Sequence, residues 1–373
     1  MSDLNLLYTD VEDDLRASVR DLMAARCEPN AVVGIYDGDR SLVEPLWRAL
    51  ATELGLAGLL VPEERGGAGA SAREVAVVLE ELGRAAAPVP FFTSSVVATT
   101  VLLAAAPGGA ADALLAGLAA GERTAALVVP LSVGPGDEVA AFTRDGNGRI
   151  SGSARSVAGA LEADVLLVPV ADGGGIAVHA VPADAARIDP VVSLDMTRQL
   201  ADVTLEGAAG EEVLPAASGA DAVQRGLETG AALLTSEQLG VAQWCLTTTI
   251  AYLKDRRQFG RVVGGYQALK HRLADLYAAV ESAAAAARNA AASTAEGDPD
   301  SAIATAVAQS FCSDVAVKAA EEAVQLHGGI GMTWEHPAHL YLKRAKADQI
   351  ALGTPAAHRA RLAGMVDLPA PVG

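Results

Sequence analysis

The chain has 373 residues, 51% of them apolar, and its 46 acidic and 28 basic side chains give a formal charge of −18. That length supports a large buried core and two or three domains. The acidic excess opposes binding to nucleic acid or an anionic lipid surface, because a polyanion is repelled unless a dense local basic patch offsets it.

The densest basic run, Lys343-Arg344-Ala345-Lys346, is short and reads as a solvated helix face or a helix C-terminal charge. No N-terminal segment combines a basic start with an apolar run, and no stretch approaches the ~20 apolar residues needed to cross a bilayer. A cytoplasmic protein is expected. Cys27, Cys245 and Cys312 are scattered and odd in number, which reads as core thiols and not as a disulfide framework.

In chain order, the first ~120 residues alternate helical apolar patterns with short Gly/Pro loops, including a helix around Ala72 to Arg84 after the Gly-rich turn at Gly66 to Gly69. From about Arg123 the pattern changes to short β-branched runs: Thr124 to Val129, Val139 to Thr143, Asp164 to Val170 and Ile176 to Val181. A small β-domain ending near Val213 follows from these.

Beyond Asp221 the helical pattern returns. Tyr266, Leu269, Leu273, Leu276 and Val280 step by three and four residues, and Ile303, Val307, Phe311 and Val315 step by four. With a helix before Arg256 and another after Glu335, these give a four-helix bundle, and the Ala-rich stretch from Ala283 to Ala292 belongs to it because alanine is the best helix former. The domains expected are an all-α segment at 1–122, a β-domain at 123–215 and a bundle at 216–373. His336 and His339 have the helical spacing of two metal ligands, but no third ligand clusters with them, so they read as helix-start histidines. Neither a Gly-x-Gly-x-x-Gly turn nor a P-loop occurs.

Three segments carry a resemblance: Arg256-Arg257-Gln258-Phe259-Gly260, Gly265-Tyr266-Gln267, and Gln325-Leu326-His327-Gly328-Gly329-Ile330-Gly331. Leu54-Gly55-Leu56-Ala57-Gly58-Leu59, Val61-Pro62-Glu63-Glu64-Arg65-Gly66-Gly67, Glu80-Glu81-Leu82-Gly83-Arg84 and Pro88-Val89-Pro90-Phe91 agree with it in order. The chain resembles the flavin-dependent acyl-CoA dehydrogenases over nearly its whole length. The resemblance implies the acyl-CoA dehydrogenase fold, with an N-terminal all-α domain, a central small β-domain and a C-terminal four-helix bundle. It also implies FAD as cofactor, an acyl-CoA substrate and an electron-transfer flavoprotein as acceptor. The cofactor contacts it implies are Arg256, Phe259, Gln267, Gln325, Gly328 and Gly329, which reach across a subunit interface.

Desaturation of an acyl-CoA needs a carboxylate to remove a proton beside the thioester carbonyl while the flavin accepts hydride from the next carbon. In the family, as the resemblance implies, that carboxylate comes from a Glu-Gly-Thr turn, which here reads Leu352-Gly353-Thr354, or from a helix position matching about Gly230 or Ala231. None of these is an acid. Glu228 and Asp348 lie nearby in sequence, and Glu335 matches an acidic position that the family uses in an ion pair. The family's own-subunit flavin segment, Thr-Glu-Pro…Gly-Ser-Asp, is also lost, the matching stretch being Val128-Val129-Pro130-Leu131-Ser132-Val133-Gly134-Pro135.

Contacts to a neighbour's flavin are therefore retained while those to the chain's own are eroded. The chain is similar to the base-less subunit of actinobacterial heterotetramers (α2β2) that dehydrogenate steroid side-chain CoA thioesters, a homologous partner supplying the catalytic Glu. Three other readings remain open at this stage: a homotetrameric fatty or branched acyl-CoA dehydrogenase with a base elsewhere, a flavin monooxygenase on the same fold, and a flavin-free scaffold.

Overall fold

The computed structural model describes residues 4–366 and 368. Six helices come first: α1 (Asp10–Arg26), α2 (Pro29–Gly34), α3 (Val43–Arg48), α4 (Ala72–Ala85), α5 (Thr99–Leu103) and α6 (Ala110–Ala119). Eight strands follow: β1 (Ala125–Leu127), β2 (Thr143–Arg144), β3 (Ile150–Ala158), β4 (Val165–Asp172), β5 (Gly175–Pro182), β6 (Arg187–Val191), β7 (Leu200–Ala208) and β8 (Glu211–Leu214). Helix α7 (Ala216–Asp255), a short hairpin of β9 (Arg257–Gln258) and β10 (Arg261–Val262), and helices α8 (Gln267–Ala295), α9 (Ser301–His327), α10 (Ala338–Ile350) and α11 (Pro355–Met365) complete it. This is the acyl-CoA dehydrogenase type of architecture expected: helices, a β-domain, then a helical bundle.

The contacts divide the chain into two compact units. The unit formed by 38–75 and 88–231 contains the β-domain. Its sheets run β1-β4-β5-β8 and β2-β3-β7-β6, with β1 parallel to β4 and the other strand pairs antiparallel. Inward-facing residues of both sheets, among them Val128, Ile150, Leu166, Val168, Val203 and Leu205, make one apolar core as in a β-sandwich.

Two strand expectations are corrected. Residues 139–142 are not a strand: only Phe142 bridges, to Val170, and regular pairing starts at Thr143. The longest strands of the second sheet, β3 and β7, were not anticipated. Strand β3 carries a bulge between Ala154 and Val157 with Ser156 at φ +53°, and its run Ile-Ser-Gly-Ser-Ala-Arg-Ser has no apolar alternation to betray it.

The unit formed by 1–37, 76–87 and 232–373 holds the bundle. Helix α1 opens with a capping box in which Thr9 and Glu12 exchange side-chain and backbone hydrogen bonds, and its Arg16 pairs with Glu80 (2.8 Å) and Glu81 (3.1 Å) on α4. Helices α8, α10 and α11 all pack against α9. The α9 stripe is a further correction: Val307 and Phe311 are about 40% exposed (43% and 39%), while Ala304, Ala308, Cys312 and Ala316 are buried. Small side chains take the core face because they let the helices approach closely. Cys27, Cys245 and Cys312 are buried, and burial pushes the Cys27 and Cys312 thiols up to about 12.

Helices α4 and α7 meet backbone to backbone. A Cβ on Gly240 would fall 1.9 Å from the Glu80 carbonyl oxygen, and one on Gly83 would fall 2.2 Å from that of Glu237, so both positions require the absence of a side chain. Gly240→Ala forces the two backbones apart, and urea denaturation should show a loss of about 1–3 kcal/mol or more. Unchanged stability would contradict this packing.

Candidate functional site

Two segments at the bundle's helix ends present the motif residues. At the first, α7 ends at Asp255 and the β9–β10 hairpin folds back in the register Gln258 with Arg261 and Arg257 with Val262. The two residues between the strands, Phe259 (φ +51°) and Gly260 (φ +75°), make a left-handed two-residue turn of the kind that matches strand twist.

Glycine adopts that conformation freely; a phenylalanine there costs about 1–2 kcal/mol. Phe259 is also 90% exposed, so nothing within the chain repays it. A strained, exposed aromatic is the mark of a group held ready for a contact outside its own fold. Beside it, Arg256 is exposed and its guanidinium has no partner among the described residues, while Arg261 lies over the Tyr266 ring at 3.7 Å. Gln267, the first residue of α8, is exposed and sits 3.4 Å from His271.

At the second segment α9 stops at His327. Gly328 turns at φ +63°, ψ −138°, a conformation open essentially to glycine alone. Gly331 is required internally, because a Cβ would meet the Val324 carbonyl at 2.5 Å. Gly329 is different: its φ is not positive and a Cβ would meet nothing, so no demand of the chain's own fold explains its glycine. Gln325 is exposed, as are Met332 (82%) and Trp334 (59%).

The two segments are tied by rings. Tyr252, one turn before Arg256, stacks on His327 at 4.5 Å, and His327 lies 4.1 Å from His336. The structure thus brings Arg256 and Gly328 to the adjacent ends of α7 and α9. Tyr252 and His327 carry this arrangement, and sequence inspection passed over them; His327's place directly before the paired glycines was the available signal.

His336 and His339 pack among aromatic rings, His339 at 4.5 Å from Trp334 and His336 at 6.5 Å from Trp244. Burial lowers the pKa of His327, His336 and His339 alike, with His336 brought down to about 4 by burial and then by the neighbouring histidines.

The basic run before Leu352 is not the solvated face expected. Arg344 is 2% exposed and pairs with the buried Glu237 at 2.7 Å, also donating to the Ala87 carbonyl at 3.1 Å. Lys343 lies 4.0 Å from both the Tyr36 and Trp334 ring centroids, and Lys346 pairs with Glu321. Glu335, expected in an ion pair, is exposed and makes none among the described residues.

No carboxylate stands at the expected base positions. Leu352 (φ +52°) and Gly353 (φ +99°) keep a left-handed turn whose carbonyl accepts from His358 at 2.9 Å, and Thr354 caps α11 through Ala357. The first side chain of this turn is aliphatic and buried. Gly230 and Ala231 are buried within α7. Asp348 is wholly buried, its backbone carbonyl accepting from Gln238, and Glu228 is half-buried.

In the β-domain unit, the loop after β1 spends most of its backbone donors within the chain. Gly134 donates to the Asp137 carboxylate (2.8 Å), Gly136 to Gln224 of α7 (2.8 Å), Leu131 to Ser156 (3.0 Å) and Val133 to Pro130 (3.0 Å). Gln224 returns a hydrogen bond to the Asp137 carbonyl at 2.9 Å. Asp137 and Gln224 were not singled out from sequence; the bond spans 87 residues.

The family model "Acyl-CoA dehydrogenase, N-terminal domain" matches residues 9–122, and "Acyl-CoA dehydrogenase, C-terminal domain" matches 217–366. Acyl-CoA dehydrogenase IpdE2 of Mycolicibacterium smegmatis is 35% identical over 93% of this chain and 96% of its own length. Among solved structures, the ChsE4–ChsE5 complex of Mycobacterium tuberculosis superposes with a TM-score of 0.86 at 27% identity, covering 99% of this chain and 100% of the other. A variant of the Tcur3481–Tcur3483 steroid acyl-CoA dehydrogenase superposes at 0.83 and 28% identity, covering 96% and 98%.

His336 supplies a pH test. Its folded pKa, about 4, lies below the usual histidine value, so the unfolded chain binds the extra proton first. The stability contribution is complete above about pH 6.5 and is lost as pH falls toward 4. The melting temperature should therefore drop between pH 6.5 and 5, and His336→Gln should flatten that drop; an equally steep drop in the variant would contradict the assignment.

Proposed function

The chain belongs to the acyl-CoA dehydrogenase family, and we propose that it is the subunit without a base in a heteromeric, FAD-dependent member, lending flavin contacts to a homologous partner that supplies the catalytic Glu. One observation carries the reading: the left-handed turn at Leu352-Gly353, matched by the resemblance to the turn that presents the base, carries a buried leucine and no acid. A positioned general base contributes ~10²–10⁴-fold in rate, so a chain that keeps the fold and lacks the acid needs one from elsewhere.

The remaining residues fit a cofactor held from outside the chain. Arg256 offers a planar fork of charged donors suited to a pyrophosphate. Phe259 offers an exposed ring, Gln267 and Gln325 offer amides, and Gly328 and Gly329 leave the backbone open to close approach. FAD, when bound, supplies the hydride acceptor. In the loop at 130–137 the backbone donors of Leu131, Val133, Gly134 and Gly136 are already taken, by Ser156, Pro130, Asp137 and Gln224, which leaves few to hold a flavin of the chain's own.

The substrate in this reading is an acyl-CoA, a steroid side-chain CoA thioester, in keeping with the similarity to a steroid acyl-CoA dehydrogenase. Assembly as α2β2 is in keeping with likeness to the ChsE4–ChsE5 complex. An electron-transfer flavoprotein re-oxidises the flavin, and the reaction takes place in the cytoplasm.

Arg256 gives the direct test. In the complex with the Glu-bearing partner, Arg256→Ala removes a charge-assisted contact of about 1.5–3 kcal/mol, so the FAD dissociation constant should rise roughly 10-fold or more while the subunits stay assembled. An unchanged constant, measured by flavin fluorescence on dilution, would contradict the shared site.

A further inference from the structure

Arg256 and the Gly328 turn follow different helices, so one cofactor can engage both only if the two helix ends keep a fixed spacing. The Arg256 backbone is anchored locally: its N–H donates to the Tyr252 carbonyl at 2.9 Å, and its own carbonyl accepts from Val263 at 2.7 Å. Whatever holds Tyr252 therefore holds Arg256. The Tyr252 ring stacks on His327 at 4.5 Å, with 30° between the ring planes.

His327 is the last residue of α9 and is bonded directly to Gly328. It is 2% exposed and closely surrounded. Its Nδ1 donates to the Ala323 carbonyl at 2.7 Å, which fixes the ring, and the His336 ring stands 4.1 Å away. Gly331 folds the turn back so tightly that an added Cβ would come within 2.9 Å of the His327 Cβ. The Nε2 atom is enclosed and has no partner among the described residues, so a second proton there would lack an acceptor. The ring is thus neutral and serves as a flat stacking surface, a part that a phenyl ring could also play. In so close-packed a place it cannot shift without shifting both Tyr252 and the glycine turn.

We propose that His327 is a positioning residue for the flavin, through which Arg256 and the Gly328 turn act on the cofactor as one unit. This inference rests on the shared-site reading above and assigns that site a residue that does not itself touch the cofactor.

The test is a double-mutant cycle on FAD affinity in the complex with the Glu-bearing partner, read by flavin fluorescence on dilution. His327→Ala should raise the FAD dissociation constant about tenfold, and His327→Phe, which keeps a ring against Tyr252, should recover most of that loss. Because Arg256 works from the position His327 gives it, adding Arg256→Ala to His327→Ala should cost no more than about twofold further, whereas independent effects would multiply. If His327→Ala does not assemble, Tyr252→Leu opens the same stack and should show the same coupling to Arg256→Ala. Losses that multiply, an unchanged constant on opening the stack, or no recovery with phenylalanine would each overturn the proposal and leave the shared site standing. Arg256→Ala without effect would remove the shared site and this proposal together.

Discussion

The backbone contact between α4 and α7 sets where the bundle's other parts can stand. With Gly83 against Glu237 and Gly240 against Glu80, the two helices approach more closely than any side chain allows, and Glu237 is left buried beside α4. A buried carboxylate is tolerated only when paired and hydrogen-bonded. Arg344 on α10 meets that demand at 2.7 Å and so fixes α10 along α7. Trp244 stacked on Tyr341 at 3.5 Å, with the Tyr341 hydroxyl donating to the Arg84 carbonyl, completes the same seam. Because α10 ends just before the Leu352 turn and α7 ends just before Arg256, one close contact governs the placement of both the vacant base position and the retained motif.

Much of this was legible in the sequence where a single residue dictates its own backbone. Gly328 and the Phe259–Gly260 turn stood out as motif residues, and their dihedral angles give the reason. The helical, β and helical order was equally readable, because hydrophobic periodicity changes from helix to strand and back. Illegible were interactions whose partners are far apart in the chain. The burial of Arg344 depends on Glu237, 107 residues away, and so its run looked like an ordinary charged helix face. Val307 and Phe311 misled for another reason: large apolar residues normally mark the core face, whereas α9 buries its alanines and leaves these two partly open.

The functional account rests on an asymmetry between what faces outward and what is closed. Arg256, Phe259, Gln325 and Gly329 are exposed and, as placed, serve no purpose in the chain's own packing. Most backbone donors of the loop after β1 are taken within the chain, and its Asp137 carboxylate is spent on Gly134, while the Leu352 turn carries no acid. Strain at Phe259 and an unneeded glycine at 329 are costs that a second chain and its cofactor would justify. A folded scaffold that had abandoned the chemistry would have no reason to keep them.

The FAD-to-protein ratio tests this account most directly, measured by visible absorbance on the chain purified alone and on its complex with a homologous, glutamate-bearing chain. The account predicts little flavin in the chain alone and about one FAD for each pair of chains in the complex. One flavin per chain in the protein alone would contradict it, and the search for a base would then turn to Asp348 and Glu228.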